Sequence, residues 1–96
     1  MPRLVWSENA LRDLARLRDF LAVNSRSAAQ RAVTRIRLGV RPLARDPEIG
    51  RLIEDMPPDY REWIVEFGRS AYVVRYQLVG NQVIVMAIRH GREDGY

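Results

Sequence analysis

The stretch Tyr72-Val73-Val74-Arg75-Tyr76-Gln77-Leu78-Val79-Gly80-Asn81-Gln82-Val83-Ile84-Val85-Met86-Ala87-Ile88 decides the fold. Every second residue from Tyr72 to Leu78 is apolar, which is the period of a strand with one buried face. Gly80-Asn81 is a two-residue hairpin signal. Residues 83–88 are continuously apolar, which predicts an interior strand that is buried on both faces. We therefore expect an antiparallel hairpin here, whose second strand is a central strand of the sheet.

A third strand precedes this pair. Trp63, Val65 and Phe67 share one face of it, and charged residues flank its start. Gly68-Arg69-Ser70 is expected to form the turn into the strand that begins near Tyr72. The three strands together predict an antiparallel meander.

Two amphipathic helices are predicted before the meander. Ser7 is a suitable N-cap for a first helix over Glu8–Val23. Ser27 and Gln30 form a capping-box pattern that would open the second helix, and Asp46-Pro47 would end it. The apolar stripe of the second helix consists of Ala29, Ala32, Val33, Ile36, Val40 and Leu43. From both helices we expect core positions at Leu11, Leu14, Leu17, Leu21, Ile36 and Val40.

The whole order predicts one α+β domain over residues 1–96. A short strand at Arg3–Trp6 opens it, and the residues at 46–59 form a structured connection between helices and meander. The order is strand, antiparallel helical hairpin, and three-stranded meander (β-α-α-β-β-β). The helices are expected to cover one face of the sheet.

The composition excludes several kinds of site. The chain has no cysteine, so disulfides and thiolate metal sites are excluded. All sixteen basic residues are arginine, so catalysis by a lysine base is excluded as well. We expect neither a metal nor a cofactor. No segment has the length and apolarity of a membrane span or signal peptide, so we expect a cytoplasmic protein without membrane contact.

The positive charge is concentrated in the first half of the chain. Residues 1–48 carry a net charge of +5 and residues 49–96 a net charge of −1. Six arginines and no acid lie between Arg26 and Arg45. Such a face is compatible with plain solvation, with an acidic protein partner or with direct binding of nucleic acid.

The chain closes on a polar tail, Arg89-His90-Gly91-Arg92-Glu93-Asp94-Gly95-Tyr96. We expect Arg89, His90 and Arg92 to leave the sheet together at the rigid end of the last strand, where functional residues often lie. The simpler alternative is a set of solvated charges that pair with Glu93 and Asp94.

Four segments of the chain resemble one known family. They are Val5-Trp6-Ser7 with Ala10 and Asp13-Leu14, then Asp46-Pro47-Glu48-Ile49-Gly50-Arg51, then Tyr72–Tyr76, and the tail. In this order they resemble the RelE/ParE family of bacterial toxins from type II toxin-antitoxin systems, over essentially the whole length. The resemblance implies a small toxin whose sheet and helical hairpin are wrapped by the C-terminal segment of an antitoxin.

One branch of that family, the RelE-like branch, consists of ribosome-dependent endoribonucleases. Its pattern places two lysines at the positions of Ile64 and Glu66, and an arginine at the position of Val73; only Arg92 keeps a basic position. RNA cleavage needs an acid, a base and cations around the developing phosphorane charge. Because Glu66 would place an anion there instead, we expect no endoribonuclease activity.

The tail resembles the ParE-like branch, whose members are described as poisons of DNA gyrase that trap the gyrase-DNA cleavage complex. The resemblance implies a toxin that acts by binding and is not an enzyme, neutralised in a hetero-oligomer with a ParD-like antitoxin. Candidate contacts to the target are Arg69, Arg89, His90, Arg92 and Tyr96. Candidate contacts to the antitoxin are Leu11, Leu14, Arg18, Leu21, Arg31, Arg35 and Trp63. A RelE-like ribonuclease and a plain nucleic-acid-binding module remain the alternatives.

Overall fold

One mixed sheet of five strands carries two long helices on one of its faces. The structure is a computed structural model that describes residues 2–91. Its elements are β1 (Arg3–Trp6), α1 (Glu8–Ala22), α2 (Arg26–Gly39), α3 (Pro42–Arg45), β2 (Arg51–Leu52), β3 (Tyr60–Phe67), β4 (Ser70–Val79) and β5 (Gln82–His90). The predicted α+β class and the order of helices and meander are confirmed.

The strand order in the sheet is β1-β5-β4-β3-β2. β1 runs parallel to β5, and the other pairs are antiparallel. β2 was not predicted; it lies inside the 46–59 connection and pairs with β3 through two residues. β5 lies between two strands, as expected of an interior strand.

The start of α1 agrees with the prediction. The Ser7 hydroxyl accepts a hydrogen bond from the Ala10 amide at 3.0 Å, as an N-cap does. The same hydroxyl donates to the Met86 carbonyl at 3.2 Å. Ser7 therefore both caps the helix and fixes its start against β5.

The start of α2 differs from the prediction. Ser25 is the N-cap: its backbone is extended (φ −161°, ψ 114°) and its hydroxyl accepts from the Ala28 amide at 3.0 Å. Ser27 lies inside the first turn, where its hydroxyl bonds to Arg31. The predicted capping box of Ser27 and Gln30 is wrong because a serine two residues earlier already has the geometry of a cap.

The end of α2 also differs. The helix ends at Gly39 instead of continuing to Asp46, and Pro42 starts the separate short helix α3. Proline cannot donate the next helical hydrogen bond and its ring clashes with the preceding turn. Val40 and Leu43 are nevertheless fully buried, so both sides of the break contribute to the core.

The glycine at the end of α2 permits a close approach to β3. A Cβ atom on Gly39 would lie 2.7 Å from Cγ1 of Val65, closer than packed atoms can be. The Gly39 carbonyl also accepts a hydrogen bond from the Trp63 indole at 2.9 Å. Because Gly39 lacks a Cβ, the end of α2 lies directly against β3, and the hydrogen bond from Trp63 holds it there.

The predicted core is confirmed at Leu14, Leu17, Ile36 and Val40. Leu11 is 44% exposed, and Leu21 is half-buried. The core prediction for Leu11 is wrong because this residue lies one position off the stripe that faces the sheet. No helix within residues 2–91 is long and apolar enough to span a membrane.

Candidate functional site

A β-bulge shapes the second half of β5. Tyr76 pairs with Val85, but its neighbour Arg75 pairs with Ala87, so Met86 is an extra residue. The bulge shifts the alternation of side chains by one position. Before Met86, the odd-numbered residues of β5 face the helices. After Met86, the even-numbered residues face them.

The burial along β5 follows this shift. Val83, Val85 and Ile88 are fully buried, whereas Ile84 and Ala87 are only half-buried. The prediction of a strand buried on both faces is therefore wrong. The helices cover one face of the sheet, and among residues 2–91 no second layer covers the other face.

β5 continues two residues further than the apolar run. His90 pairs with Tyr72 and Arg89 with Val73. The His90 ring packs edge-on against Tyr72, with centroids 5.5 Å apart and planes at 88°. The prediction that Arg89 and His90 leave the sheet together is wrong: consecutive strand residues project from opposite faces, so His90 lies on the helix side and Arg89 on the open side.

Side chains of α1 hold the end of β5 where β1 no longer pairs with it. β1 ends at Trp6, and beyond it the Met86 carbonyl accepts from the Asn9 amide at 3.0 Å. The Ile88 amide donates to the Asp13 carboxylate at 2.9 Å. Side chains of α1 thus supply the hydrogen bonds that a neighbouring strand would make, and they hold in place the end of β5 that leads to His90.

Arg69 lies at the same end of the sheet. It occupies the two-residue turn between β3 and β4, next to Gly68, whose φ of +58° suits glycine. The start of β4, which follows this turn, pairs with the end of β5. Arg69 and His90 therefore flank one end of the sheet. Arg92 and Tyr96 lie outside the described residues.

Three of the positions at which the RelE-like pattern has basic residues, those of Ile64, Glu66 and Val73, lie on the open face. Ile64 and Val73 are directly opposite each other on β3 and β4, and Val73 is also opposite Arg89 on β5. Val73 is only 5% exposed. Glu66 is exposed and pairs with Ala71. Ile64, Val73 and Arg89 thus form one row across β3, β4 and β5. Ile64 and Val73 are its apolar pair, and Arg89 is its one cation.

Sequence reasoning missed a cluster of charges on the same face. The Glu62 carboxylate is almost fully buried and contacts Arg51 at 3.2 Å and Arg75 at 3.5 Å. This arrangement ties β2 to the sheet. Arg51 and Arg75 belong to two of the segments that carry the family resemblance, but no spacing in the sequence indicates that they meet at Glu62.

A second missed cluster fixes the connection before β2. The Tyr76 hydroxyl donates to the Pro47 carbonyl at 2.7 Å and accepts from the Gly50 amide at 2.9 Å. The Arg61 guanidinium donates to the Gly50 carbonyl at 2.9 Å. A Cβ on Gly50 would lie 2.5 Å from the Tyr76 hydroxyl, so only glycine fits here.

Both buried tyrosines have a raised pKa. Desolvation by burial raises the pKa of Tyr72. Burial also raises the pKa of Tyr76, although the hydrogen bond from Gly50 and the charge of Arg61 act in the opposite direction. The phenols are therefore neutral at neutral pH, and neither supplies a phenolate base.

The predicted antitoxin contacts are spread over both helices and the sheet. Leu14 is 3% exposed and packs in the core, so it presents no binding surface here. Trp63 and Leu21 are half-buried. The exposed candidates are Leu11 and Arg18 on α1, and Arg31 and Arg35 on α2. Arg35 is anchored by a 3.1 Å hydrogen bond to the Glu66 carbonyl.

The part of the chain at 2–91 contains no group of three or more His, Cys, Asp or Glu side chains that could hold a metal ion. The clusters at Glu62 and Tyr76 are hydrogen-bonded and ion-paired within the fold. Their geometry stabilises the connection around β2.

Comparison with known proteins agrees with this fold. The chain is 37% identical to "Toxin RelE2" of Caulobacter vibrioides over 94% of this chain and 96% of that protein. It is 38% identical to "Toxin RelE1" of the same organism, over 92% and 91%. A solved structure described as "Chromosomal ParDE TA system from P. aeruginosa" superposes with a TM-score of 0.80 at 24% identity, covering 94% of this chain and 96% of that chain.

The sequence model of one family covers almost the entire chain. The family is described as "ParE toxin of type II toxin-antitoxin system, parDE", and its model matches residues 4–95. The predicted resemblance is thereby confirmed, and the chain belongs to the ParE toxins of type II toxin-antitoxin systems, within the RelE/ParE group.

Proposed function

We propose that this toxin inhibits DNA gyrase by binding and trapping the gyrase-DNA cleavage complex in the cytoplasm, and that a ParD-like antitoxin neutralises it. In this mode the toxin needs no active site of its own. It needs a rigid surface that contacts the target and a second surface, or an overlapping one, that the antitoxin covers.

The row of Ile64 and Val73 on the open sheet face carries the choice of mechanism. A ribonuclease would need cations where this toxin has two apolar side chains in direct register. Glu66, two residues along β3, adds a negative charge that would repel a phosphate. The apolar pair of Ile64 and Val73, with Glu66 beside it and Arg89 as the one cation in register with it, supports inhibition by binding over cleavage of RNA.

The end of the sheet supplies the proposed contacts to the target. Arg69 and His90 flank this end, and Arg89 projects from the opposite face to His90. A target that uses all three side chains must therefore reach around the end of β5. Arg92 and Tyr96 follow directly in sequence and stay candidates for the same surface.

A gyrase assay tests the proposal directly. Purified toxin at micromolar concentration should inhibit supercoiling and accumulate cleaved DNA. Arg89→Ala and His90→Ala should each lower this inhibition about 10-fold or more, as expected for contacts at the centre of an interface. Arg12→Ala, which removes an exposed arginine of α1, is the matched control and should inhibit like the wild type. Absence of both inhibition and cleaved DNA would refute the proposal.

A RelE-like ribonuclease is the second candidate, because the two Caulobacter relatives carry the name RelE. That activity would appear as mRNA cuts at fixed codon positions in the presence of ribosomes, and would disappear in Arg92→Ala. A translation assay run beside the gyrase assay on the same preparation separates the two candidates. Cuts without gyrase inhibition would favour the ribonuclease.

A further inference from the structure

The end of α1 exposes two large apolar side chains. Phe20 is 72% exposed, and Val23, the C-cap of the helix, is 83% exposed. Among the large apolar residues within residues 2–91, these two are the most exposed. They are three residues apart, so they are neighbours on the helix surface. We call Phe20 and Val23 the hairpin tip, since the turn from α1 into α2 follows there.

The hairpin tip projects from the side of α1 that holds β5. Asn9 and Asp13 define this side, because they bind the backbone of β5 at Met86 and Ile88. A helix turns by about 100° per residue, which places Phe20 within about 20° of both Asn9 and Asp13. Phe20 therefore continues the row of α1 side chains that runs along β5.

The opposite side of α1 carries the candidates for antitoxin binding. Leu11 is nine residues before Phe20, which at about 100° per residue places the two on opposite sides of the helix. Arg18 projects within about 20° of Leu11. A helical segment that covers Leu11 and Arg18 therefore leaves Phe20 accessible.

The hairpin tip lies at the same end of the molecule as His90 and Arg69. α1 and β5 run in the same direction, since the two hydrogen bonds between them follow the same order in both elements. From the contact of Asp13 with Ile88, Phe20 is about 10 Å further along α1. His90 is about 7 Å further along β5. Phe20 thus extends the end of the sheet that Arg69 and His90 flank.

The charges around the hairpin tip are mostly positive. Arg26 begins α2 directly after the tip and forms no ion pair within residues 2–91. Arg16 lies one turn before Phe20, and the carboxylate of Asp19 pairs with Arg18 at 3.1 Å. Two copies packed tip to tip would bring like charges together, which disfavours a second copy as the partner. A partner surface with a carboxylate fits better.

We propose that the hairpin tip contacts the gyrase protein, and that Phe20 inserts into an apolar pocket whose edge carries a carboxylate for Arg26. The proposal rests on the proposed function and extends the target surface from Arg69 and His90 onto the end of α1. A phenylalanine ring suits this role, because it buries a large apolar area and fixes only two side-chain torsions. The DNA of the complex is disfavoured as the partner, since the exposed Asp19 carboxylate next to the ring would repel phosphate.

Inhibition of supercoiling by Phe20→Ala tests the proposal. The toxin concentration that halves supercoiling should rise about 10-fold or more, as for loss of an aromatic anchor. Phe20→Leu keeps an apolar side chain and should stay within about 3-fold of the wild type. Leu52→Ala is the matched control, because Leu52 is 59% exposed but lies on β2, away from this end of the sheet. It should inhibit like the wild type. Thermal unfolding checks that each variant keeps its fold.

The predicted carboxylate is tested through Arg26→Glu. Binding to immobilised gyrase, measured by surface plasmon resonance, should weaken about 5-fold or more at low salt, and less at high salt because ions screen the charges. Arg45→Glu is the control, since Arg45 is an exposed arginine at the end of α3. It should bind gyrase like the wild type. Equal binding by Arg26→Glu at low salt would contradict the assigned carboxylate.

The gyrase assay separates failure of this inference from failure of the proposed function. A wild-type toxin that does not inhibit gyrase would refute both. If the wild type inhibits and Phe20→Ala inhibits equally well, the proposed function stands and the hairpin tip is not a target contact.

Three further measurements test other partners for the hairpin tip. Phe20→Ala should still bind the protein encoded by the adjacent reading frame; loss of that binding with unchanged gyrase inhibition would assign the tip to the antitoxin. Sedimentation should show no dimer that Phe20→Ala abolishes. A 20-base-pair DNA duplex without gyrase should bind the wild type and Phe20→Ala equally weakly. A dimer that depends on Phe20, or tight duplex binding that depends on it, would overturn the inference.

Discussion

The Asp13 carboxylate accepts a hydrogen bond from the Ile88 amide at 2.9 Å and so joins the first helix to the last strand, 75 residues apart. Ile88 lies in the part of β5 that β1 does not reach. Without Asp13 its amide would have no acceptor on that side of the strand. We therefore expect this single contact to matter for the whole end of the sheet.

Asp13→Ala should lower the free energy of unfolding by about 1–3 kcal/mol, because the Ile88 amide loses its partner. Urea denaturation measures the change. Asp19→Ala is the matched control: its carboxylate is 72% exposed, and the change should stay within about 0.5 kcal/mol. Equal stability of both variants would show that the contact contributes nothing.

Tyr76→Phe should lower the free energy of unfolding by about 1–3 kcal/mol, since the Pro47 carbonyl and the Gly50 amide both lose the hydroxyl. Tyr60→Phe serves as control, because it removes the hydroxyl of a half-buried tyrosine at the start of β3. Chemical denaturation compares the two variants. A larger loss in Tyr60→Phe would contradict the assigned role of Tyr76.

The stability of the toxin should decrease at alkaline pH. Burial raises the pKa of Tyr72 and Tyr76 above the ordinary value of 10.0. Below pH 10 both phenols are neutral in the folded and unfolded chains, so their contribution to the free energy of unfolding is fully present. Above pH 10 the unfolded chain loses its protons first, and the contribution is lost as pH rises through the folded-state values. Urea midpoints at pH 8, 10 and 11 measure this, and the decline should be smaller in Tyr76→Phe.

Gly39→Ala should destabilise the toxin although alanine favours helices. The gain in helix propensity is at most about 1 kcal/mol, whereas forcing a methyl group against Val65 costs about 1–3 kcal/mol. Thr34→Ala, at an exposed position of the same helix, should instead be neutral or slightly stabilising. Thermal unfolding of both variants gives the comparison, and a stabilised Gly39→Ala would mean that α2 can move away from β3.

Glu62→Ala should cost more stability than Arg51→Ala. Removal of the buried carboxylate leaves Arg75 partly buried without its ion-pair partner, at a cost of about 3 kcal/mol. The Arg51 side chain is 61% exposed, so its loss should cost less than about 1 kcal/mol. Denaturant midpoints decide the order, and the reverse order would contradict the assignment of Glu62 as the buried centre of the cluster.

Much of the fold follows from local patterns. The 3.6-residue period of apolar residues predicted α1 and most of α2, and the two-residue period of apolar residues predicted β3 and β4. Gly68 and Gly80 marked both hairpin turns, where the backbone has a positive φ. These features depend on residues that are close together along the chain, so they can be predicted from the sequence alone.

The candidate site was predicted less well. Arg69 and His90 were named as candidate target contacts without a predicted spatial relation, and the structure brings both to one end of the sheet. Arg89 was assigned to the same side as His90, but the strand continues and turns it to the open face. The pairing of Glu62 with Arg51 and Arg75 was not foreseen at all.

The sequence by itself determined the element types, the two hairpins and the toxin family, since these depend on local spacing and on segments in a fixed order. Only the tertiary structure decided the face on which each polar residue of β5 lies. One extra residue, Met86, inverts the alternation beyond it, and a bulge depends on which residue of the neighbouring strand pairs with which. That pairing forms between two strands, β4 and β5, so it is not contained in the period of either strand.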